Sequence, residues 1–99
     1  MKEINIENII DKLDALNIID IRDGYLYNIG KIPNAKNIPM NFLIMNPENY
    51  LDYDEIYYIY CNYGNNSRRV SEILNNKGYN TISIIGGYNE YKLFQHKEI

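Results

Sequence analysis

Cys61 is the residue of this chain best suited to chemistry, because of its type and its surroundings. It follows residues 55–60, where β-branched and aromatic side chains predict a buried strand. A helix is predicted to begin at Ser67, which can cap it, and to end at Gly78. Ligands of open α/β sheets bind in the crevice beyond the carboxyl ends of the strands, so we expect Cys61 to face such a crevice.

The loop from Cys61 to Ser67 is suited to holding an anion. Gly64 gives the backbone conformational freedom in the middle of the loop. N–H groups that point inward would bind the anion together with the positive end of the following helix. Such a loop favours the thiolate, which attacks a sulfane sulfur without a base relay. The same N–H groups would hold the outer sulfur of a persulfide or the oxygens of thiosulfate. A strand-end cysteine is otherwise a small buried hydrophobic residue, so the loop alone leaves both interpretations open.

The rest of the sequence predicts the elements that would position this loop. Further strands are predicted at residues 17–21 and 81–85, and further helices at residues 6–13 (capped by Asn5), 24–30 and 88–94. The alternation of strands and helices predicts an α/β fold with a mostly parallel central sheet of about five strands and helices on both faces. The length predicts one domain, residues 1–99.

Composition and charge exclude several classes of protein. The net charge is −3 and no basic cluster exceeds the pair Arg68–Arg69, which argues against nucleic-acid binding. No apolar run is long enough to span a membrane, and the first eleven residues, MKEINIENIID, carry acids where a signal peptide is apolar. We therefore expect a cytoplasmic protein without a membrane or nucleic-acid partner.

The counts of cysteine and histidine restrict the chemistry further. A single cysteine excludes an internal disulfide and a cysteine-rich zinc site, so any sulfur chemistry at Cys61 needs a thiol from another molecule. His96 lies in a charged segment and is interpreted as a surface residue. Neither a metal site nor a cofactor is predicted.

Four motifs follow one another along the chain: Asp20-Ile21-Arg22; residues 27–39; Cys61-x-x-Gly64-x-x-Ser67; and Leu74, Gly78-Tyr79 and Gly86-Gly87. In their order and spacing they resemble the rhodanese family, and residues 27–39 are similar to its Gly-His-Ile-Pro-Gly-Ala-x-Asn-Ile-Pro. The resemblance extends without gaps from about residue 5 to residue 91. It implies a single rhodanese-like domain.

The resemblance also implies a function. Cys61 would be the catalytic residue of a sulfurtransferase and would carry a persulfide. Its sulfur would come from a small donor (thiosulfate, a persulfide or a polysulfide) and would pass to a thiol, a protein cysteine or cyanide. The active-site loop would bind the substrate, through Asn62, Tyr63, Gly64, Asn65, Asn66, Ser67 and Arg68. Asp20 and Arg22 would be structural residues near the site, and Gly86-Gly87 would let a turn approach the loop closely.

The sequence departs from the family pattern at four positions. Lys31 replaces a usual His, Asn34 a Gly and Tyr91 a common Trp, and Asn66 stands where many members carry an Arg before the Ser. Arg68 or Lys31 compensates for Asn66 only if its side chain points toward the pocket. If Arg68 points to solvent, backbone amides alone hold the substrate, and affinity for thiosulfate is expected to be modest.

Two other functions are compatible with a fold of this kind. Cell-cycle phosphatases share the fold but need Cys-x5-Arg, and here Ser67 takes the arginine's place while Arg68 comes one residue late. Phosphatase activity is therefore not expected. The alternative to sulfur transfer is a non-catalytic rhodanese-like binding or regulatory module.

Overall fold

Five short parallel strands form one sheet at the centre of the molecule. The computed structural model describes residues 2–97. The strands are β1 (Glu3–Ile4), β2 (Asn17–Asp20), β3 (Lys36–Asn37), β4 (Ile56–Tyr60) and β5 (Asn80–Ile84). Their order across the sheet is β1-β5-β4-β2-β3, and every pairing is parallel. The predicted five-stranded parallel sheet is thus confirmed, and β4, which leads to Cys61, lies at its centre.

Helices cover both faces of the sheet, as predicted. The α-helices are α1 (Gly24–Ile29), α2 (Met40–Met45), α3 (Asn65–Asn76) and α4 (Gly87–Lys97), and short 3-10 helices span Ile6–Asn8, Ile10–Ala15 and Pro47–Asn49. None of the helices within residues 2–97 combines the length and the apolar character needed to cross a bilayer.

Alternation along the strands divides the core into two clusters. Successive side chains of a strand point to opposite faces, so Ile59 of β4 packs in a different cluster from Tyr60. Ile59 lies with Leu43 of α2 and with the buried face of α3. Tyr60 lies in the second cluster, together with Tyr91 of α4. Because both faces of β4 are buried, its sequence is a continuous apolar run.

The helix predicted over residues 6–13 is wrong in type. The segment forms two 3-10 helices, Ile6–Asn8 and Ile10–Ala15, and the second is interrupted by Lys12 at φ −135°. The Asn5 side chain makes no capping hydrogen bond. The segment is rich in β-branched residues and in Asn and Asp, which have weak helix propensity. Ile6, Ile9 and Leu13 are nevertheless buried and Ile10 is partly buried, so the helical spacing identified the core-facing side correctly.

Gly87 brings the start of α4 against the loop that follows β4. Its φ is +60°, and the next two N–H groups donate to that loop: Tyr88 to the Cys61 carbonyl (2.8 Å) and Asn89 to the Asn62 carbonyl (2.9 Å). A Cβ at position 87 would collide with the Cys61 carbonyl oxygen and lie 2.9 Å from the Asn62 carbonyl. The predicted close approach of this turn is confirmed.

Replacing Gly87 by Ala is therefore expected to lower the free energy of unfolding by about 2–4 kcal/mol, because the clash is with backbone and the positive φ is strained for Ala. Urea denaturation measures this change. Gly24→Ala is the matched control, since its Cβ would meet only Asn37 Oδ1, at 3.5 Å, and its effect should stay within about 1 kcal/mol. Equal stability of the two variants would contradict the packing described here.

Candidate active site at Cys61

The loop after β4 wraps around the sulfur of Cys61. The backbone N–H groups of Gly64 and Ser67 donate to Cys61 Sγ at 3.1 and 3.3 Å. Gly64 makes this turn possible: its φ is +101°, and a Cβ there would lie 2.9 Å from the Gly86 nitrogen. Two backbone N–H donors are therefore directed at this one sulfur.

Four further N–H groups of the loop have no acceptor among residues 2–97. The backbone nitrogens of Asn62, Tyr63, Asn65 and Asn66 donate no hydrogen bond to any other residue between positions 2 and 97. The last two belong to the first turn of α3, where N–H groups lack intrahelical partners and carry the positive end of the helix dipole. These donors are available to an anionic ligand.

Ser67 lies behind the sulfur and not in front of it. It is fully buried, and its hydroxyl lies 3.6 Å from Cys61 Sγ, donates to the Gly64 carbonyl (3.2 Å) and shares a hydrogen bond with Ser83 (2.8 Å). The prediction that Ser67 caps the helix is wrong: α3 begins at Asn65, with Gly64 at the capping position. Ser67 instead fixes the shape of the loop from within the core.

A cavity of about 760 Å³ opens above Cys61. Cys61 is only 6% exposed, so the sulfur lies at the bottom of this cavity. Four predicted loop residues line it: Asn62, Tyr63, Asn65 and Asn66. Gly64 and Ser67 are not among its lining residues and contact the sulfur from below through their N–H groups.

Arg68, predicted to bind substrate, does not line the cavity. Its side chain is 49% exposed, with Nη1 3.9 Å from Glu3 Oε1 and Nη2 3.5 Å from Asn65 Oδ1. Arg68 lies within α3, which begins at Asn65, and its side chain points away from the cavity. Lys31 is also absent from the lining, and its Nζ lies 4.4 Å over the Tyr27 ring. Neither residue compensates for Asn66.

Asp20 and Arg22 form a buried ion pair beside the cavity. Arg22 Nη2 lies 2.7 Å from Asp20 Oδ2, and Nε donates to Oδ1 at 3.0 Å. The guanidinium also donates to the Gly30 carbonyl (2.6 Å) and to Asn62 Oδ1 (3.4 Å). The pair thereby joins the end of β2 to the end of α1 and to the active-site loop. Arg22 itself lines the cavity.

Two tyrosines complete this network, and sequence reasoning missed both. The Tyr60 hydroxyl donates to Asp20 Oδ2 at 2.7 Å, and the Arg22 guanidinium lies 4.3 Å from the centre of the Tyr88 ring. Burial is the main reason why the pKa of Tyr60 lies well above its ordinary value, so its hydroxyl stays protonated. Burial acts to lower the pKa of Arg22, but the hydrogen bond and charge of Asp20, together with Tyr60 and Tyr88, leave this pKa raised, so the guanidinium remains charged. With eleven tyrosines in the chain, no pattern singled out these two.

The upper wall of the cavity was also missed. It comes from α1 and α2 and includes Leu26, Pro39, Met40 and Phe42, together with Asp23 at the start of α1. α2, which supplies Met40 and Phe42, is only six residues long. The apolar residues of a short surface helix carry no signal that separates a cavity wall from ordinary core.

Comparison with known proteins adds family relationships to this geometry. The family model described as "Rhodanese-like domain" matches residues 5–93. The Bacillus subtilis protein "Putative sulfurtransferase YtwF" is 32% identical over 90 residues, covering 88% of this chain and 86% of that protein. "Adenylyltransferase and sulfurtransferase uba4" of Ogataea parapolymorpha is 31% identical over 75 residues, and the match spans 75% of this chain but only 19% of that protein.

Solved structures show the same fold. A rhodanese-like domain protein from Staphylococcus aureus is 35% identical, with a TM-score of 0.83 and coverage of 92% of this chain and 91% of that one. A rhodanese-related protein from Thermoplasma volcanium is 26% identical, with a TM-score of 0.85 and coverage of 95% and 93%. These similarities extend over nearly the whole chain, as the sequence motifs predicted.

Proposed function

This chain belongs to the rhodanese-like domain family, and from that premise we propose that it is a sulfurtransferase in which Cys61 carries the transferred sulfur as a persulfide. The observation that carries the proposal is the position of Cys61 Sγ: it accepts two backbone N–H groups at the bottom of a cavity. That arrangement supplies what attack on a sulfane sulfur requires, which is a nucleophilic sulfur held by hydrogen-bond donors and open to the incoming molecule.

The first half-reaction loads the enzyme. The Cys61 thiolate attacks the outer sulfur of thiosulfate, forming an Sγ–S bond while the S–S bond of the donor breaks and its electron pair leaves with sulfite. A persulfide or polysulfide donor reacts in the same way and releases a thiolate or a shorter polysulfide. The unpaired N–H groups of Asn62, Tyr63, Asn65 and Asn66 are the donors we assign to the incoming anion and to the outer sulfur of the product.

The second half-reaction unloads the enzyme. An acceptor thiolate or cyanide attacks the outer sulfur of the Cys61 persulfide, and the Sγ–S bond breaks with its electron pair on Cys61. No other cysteine exists in the chain, so the acceptor must be another molecule. The Gly64 and Ser67 N–H groups stabilise the departing Cys61 thiolate as they stabilise the attacking one.

Steady-state kinetics test this proposal. With thiosulfate or polysulfide as donor and cyanide as acceptor, the wild-type protein should form thiocyanate with ping-pong kinetics. It should not hydrolyse p-nitrophenyl phosphate, because no arginine of the loop faces the cavity. Phosphate release without thiocyanate formation would contradict the proposal, and inactivity with every donor would favour a binding or regulatory module.

Arg68→Ala is expected to change kcat/KM for thiosulfate by less than about twofold, because the guanidinium is half-exposed and lies outside the cavity. Initial rates of thiocyanate formation measure the effect. Asn66→Arg is the matched comparison, since it places a cation on the lining and should raise kcat/KM for this dianion by about tenfold. A tenfold loss in Arg68→Ala would show that the arginine reaches the substrate.

A further inference from the structure

The cavity above Cys61 is larger than a small inorganic sulfur donor requires. Its volume of about 760 Å³ lies within the range of about 300–1,000 Å³ that is typical of pockets for organic ligands. Thiosulfate contains five heavy atoms and would occupy only the bottom, near Cys61. The remaining space lies between the loop after β4 and the wall formed by α1 and α2.

The charge of the cavity does not match a dianion. Within residues 2–97, its charged lining residues are Arg22 and Asp23. The Arg22 guanidinium is already neutralised by Asp20 at 2.7 Å. Asp23 is exposed and forms no ion pair with any residue in the described part of the chain. Among the lining residues that the structure describes, an entering anion therefore meets an uncompensated carboxylate and no unpaired cation, and repulsion grows with the charge of the anion.

The wall and rim of the cavity are mostly apolar, with Asn41 of α2 and Asp23 as the polar members of the wall. Leu26 and Met40 line it, and so do two aromatic residues that are largely exposed: Phe42 (58%) and Tyr63 (70%). Large apolar side chains grouped at the rim of a cavity are typical of a ligand site, because a ligand would remove them from water. Backbone N–H groups at the bottom and apolar side chains above fit a donor with a sulfur anion at one end and an apolar body at the other.

From this match we infer that the preferred donor is a small organic persulfide or thiosulfonate that has an apolar body and a single negative charge, and not thiosulfate. The inference rests on the proposed function and specifies its substrate class. The sulfur anion would lie against the loop N–H groups, and the apolar body would lie against Met40 and Phe42.

The transfer step balances for this class of donor. The Cys61 thiolate attacks the outer sulfur of a thiosulfonate, R–SO2–S⁻, and an Sγ–S bond forms. The S–S bond of the donor breaks, and its electron pair leaves with the sulfinate, R–SO2⁻. Two negative charges stand on each side and no proton is transferred. An organic persulfide anion, R–S–S⁻, reacts in the same way and releases the thiolate R–S⁻.

Two thiosulfonates of equal charge separate the effect of the apolar body from that of charge. Methanethiosulfonate and benzenethiosulfonate are both monoanions, and kcat/KM for each is measured with cyanide as acceptor. Each value is divided by the rate of the same donor with a small free thiol, which corrects for its intrinsic reactivity. We expect the corrected value to be at least about tenfold higher for benzenethiosulfonate than for methanethiosulfonate, and lower for thiosulfate than for either.

Variants locate the preference within the cavity. Phe42→Ala should reduce the ratio between the two thiosulfonates by about three- to tenfold. Met45→Ala is the matched control, because Met45 lies on the same helix and is 74% exposed but does not line the cavity. Its ratio should equal that of the wild type. Asp23→Asn should raise kcat/KM for thiosulfate about threefold more than kcat/KM for benzenethiosulfonate at low salt.

The possible outcomes separate this inference from the proposed function. Equal corrected values for the two thiosulfonates, or an unchanged ratio in Phe42→Ala, would overturn the inference while leaving sulfur transfer from thiosulfate or polysulfide intact. The inference would also be overturned if the corrected values for the two thiosulfonates were equal and a persulfide-carrying protein loaded Cys61 faster than either. That result would assign the apolar rim to a protein partner. Failure of every donor to load Cys61 would reject the proposed function itself.

Discussion

Cys61→Ser is expected to lower kcat/KM for sulfur transfer by at least about 10³-fold, with any donor, while the protein stays folded. A serine hydroxyl in this loop is neither anionic at neutral pH nor able to form the Sγ–S bond. The chain contains no second cysteine to replace it. Thiocyanate formation with thiosulfate and with polysulfide measures the loss.

The fold of this variant should survive, because Ser is close to Cys in size and its hydroxyl can accept the two N–H groups of Gly64 and Ser67. We expect a loss of about 1–2 kcal/mol in the free energy of unfolding, since a buried weakly polar group is replaced by a more polar one. Urea denaturation controls for this. A folded Cys61→Ser protein that retains a tenth of the wild-type activity would contradict the assignment of Cys61 as the nucleophile.

Asp20→Ala is expected to lower the free energy of unfolding by about 3–5 kcal/mol, because it leaves the Arg22 charge buried without its partner. Asp20 is fully buried, and it accepts hydrogen bonds from Arg22 and from the Tyr60 hydroxyl. Its removal leaves the Arg22 side chain and the Tyr60 hydroxyl without this acceptor. Since a domain of this size has a free energy of unfolding of roughly 5–15 kcal/mol, the variant should be close to unfolding at 37 °C.

Asp23→Ala is the matched control for this measurement. It also removes an aspartate carboxylate, three residues along the chain from Asp20. Asp23, however, is exposed and forms no ion pair within residues 2–97. Its free energy of unfolding should change by less than about 0.5 kcal/mol. Thermal and urea denaturation of both variants measure these changes in the free energy of unfolding. An Asp20→Ala protein as stable as Asp23→Ala would show that the ion pair does not hold β2, α1 and the loop together.

The sequence predicted the inner strands of the sheet more accurately than its edge strands. Residues 17–21, 55–60 and 81–85 are rich in β-branched and aromatic residues and lie between turn signals, and the structure has β2, β4 and β5 there within one residue at each end. The edge strands β1 and β3 have two residues each, which is too short for any periodic pattern. Parallel order followed from the alternation of strands and helices, because parallel strands need crossover connections.

In the candidate site, the sequence predicted the positions of residues better than the directions of their side chains. The position of Cys61 at a strand end, and of Gly64 in the turn, followed from residue types and spacing. The outward direction of Arg68 did not, because it depends on whether α3 begins at Asn65 or at Ser67. Ser67 has the chemistry of a helix cap, and only its contact with Ser83, sixteen residues away in sequence, turns its hydroxyl into the core.

The measurement that tests the central claim most directly is the intact mass of the protein after brief incubation with a sulfur donor. Wild-type protein treated with thiosulfate, polysulfide or benzenethiosulfonate should gain about 32 Da, the mass of one sulfur atom, and should lose it on addition of cyanide. The Cys61→Ser protein should gain nothing. A folded wild-type protein with a free thiol that acquires no cyanide-labile sulfur from any of these donors would contradict the persulfide mechanism.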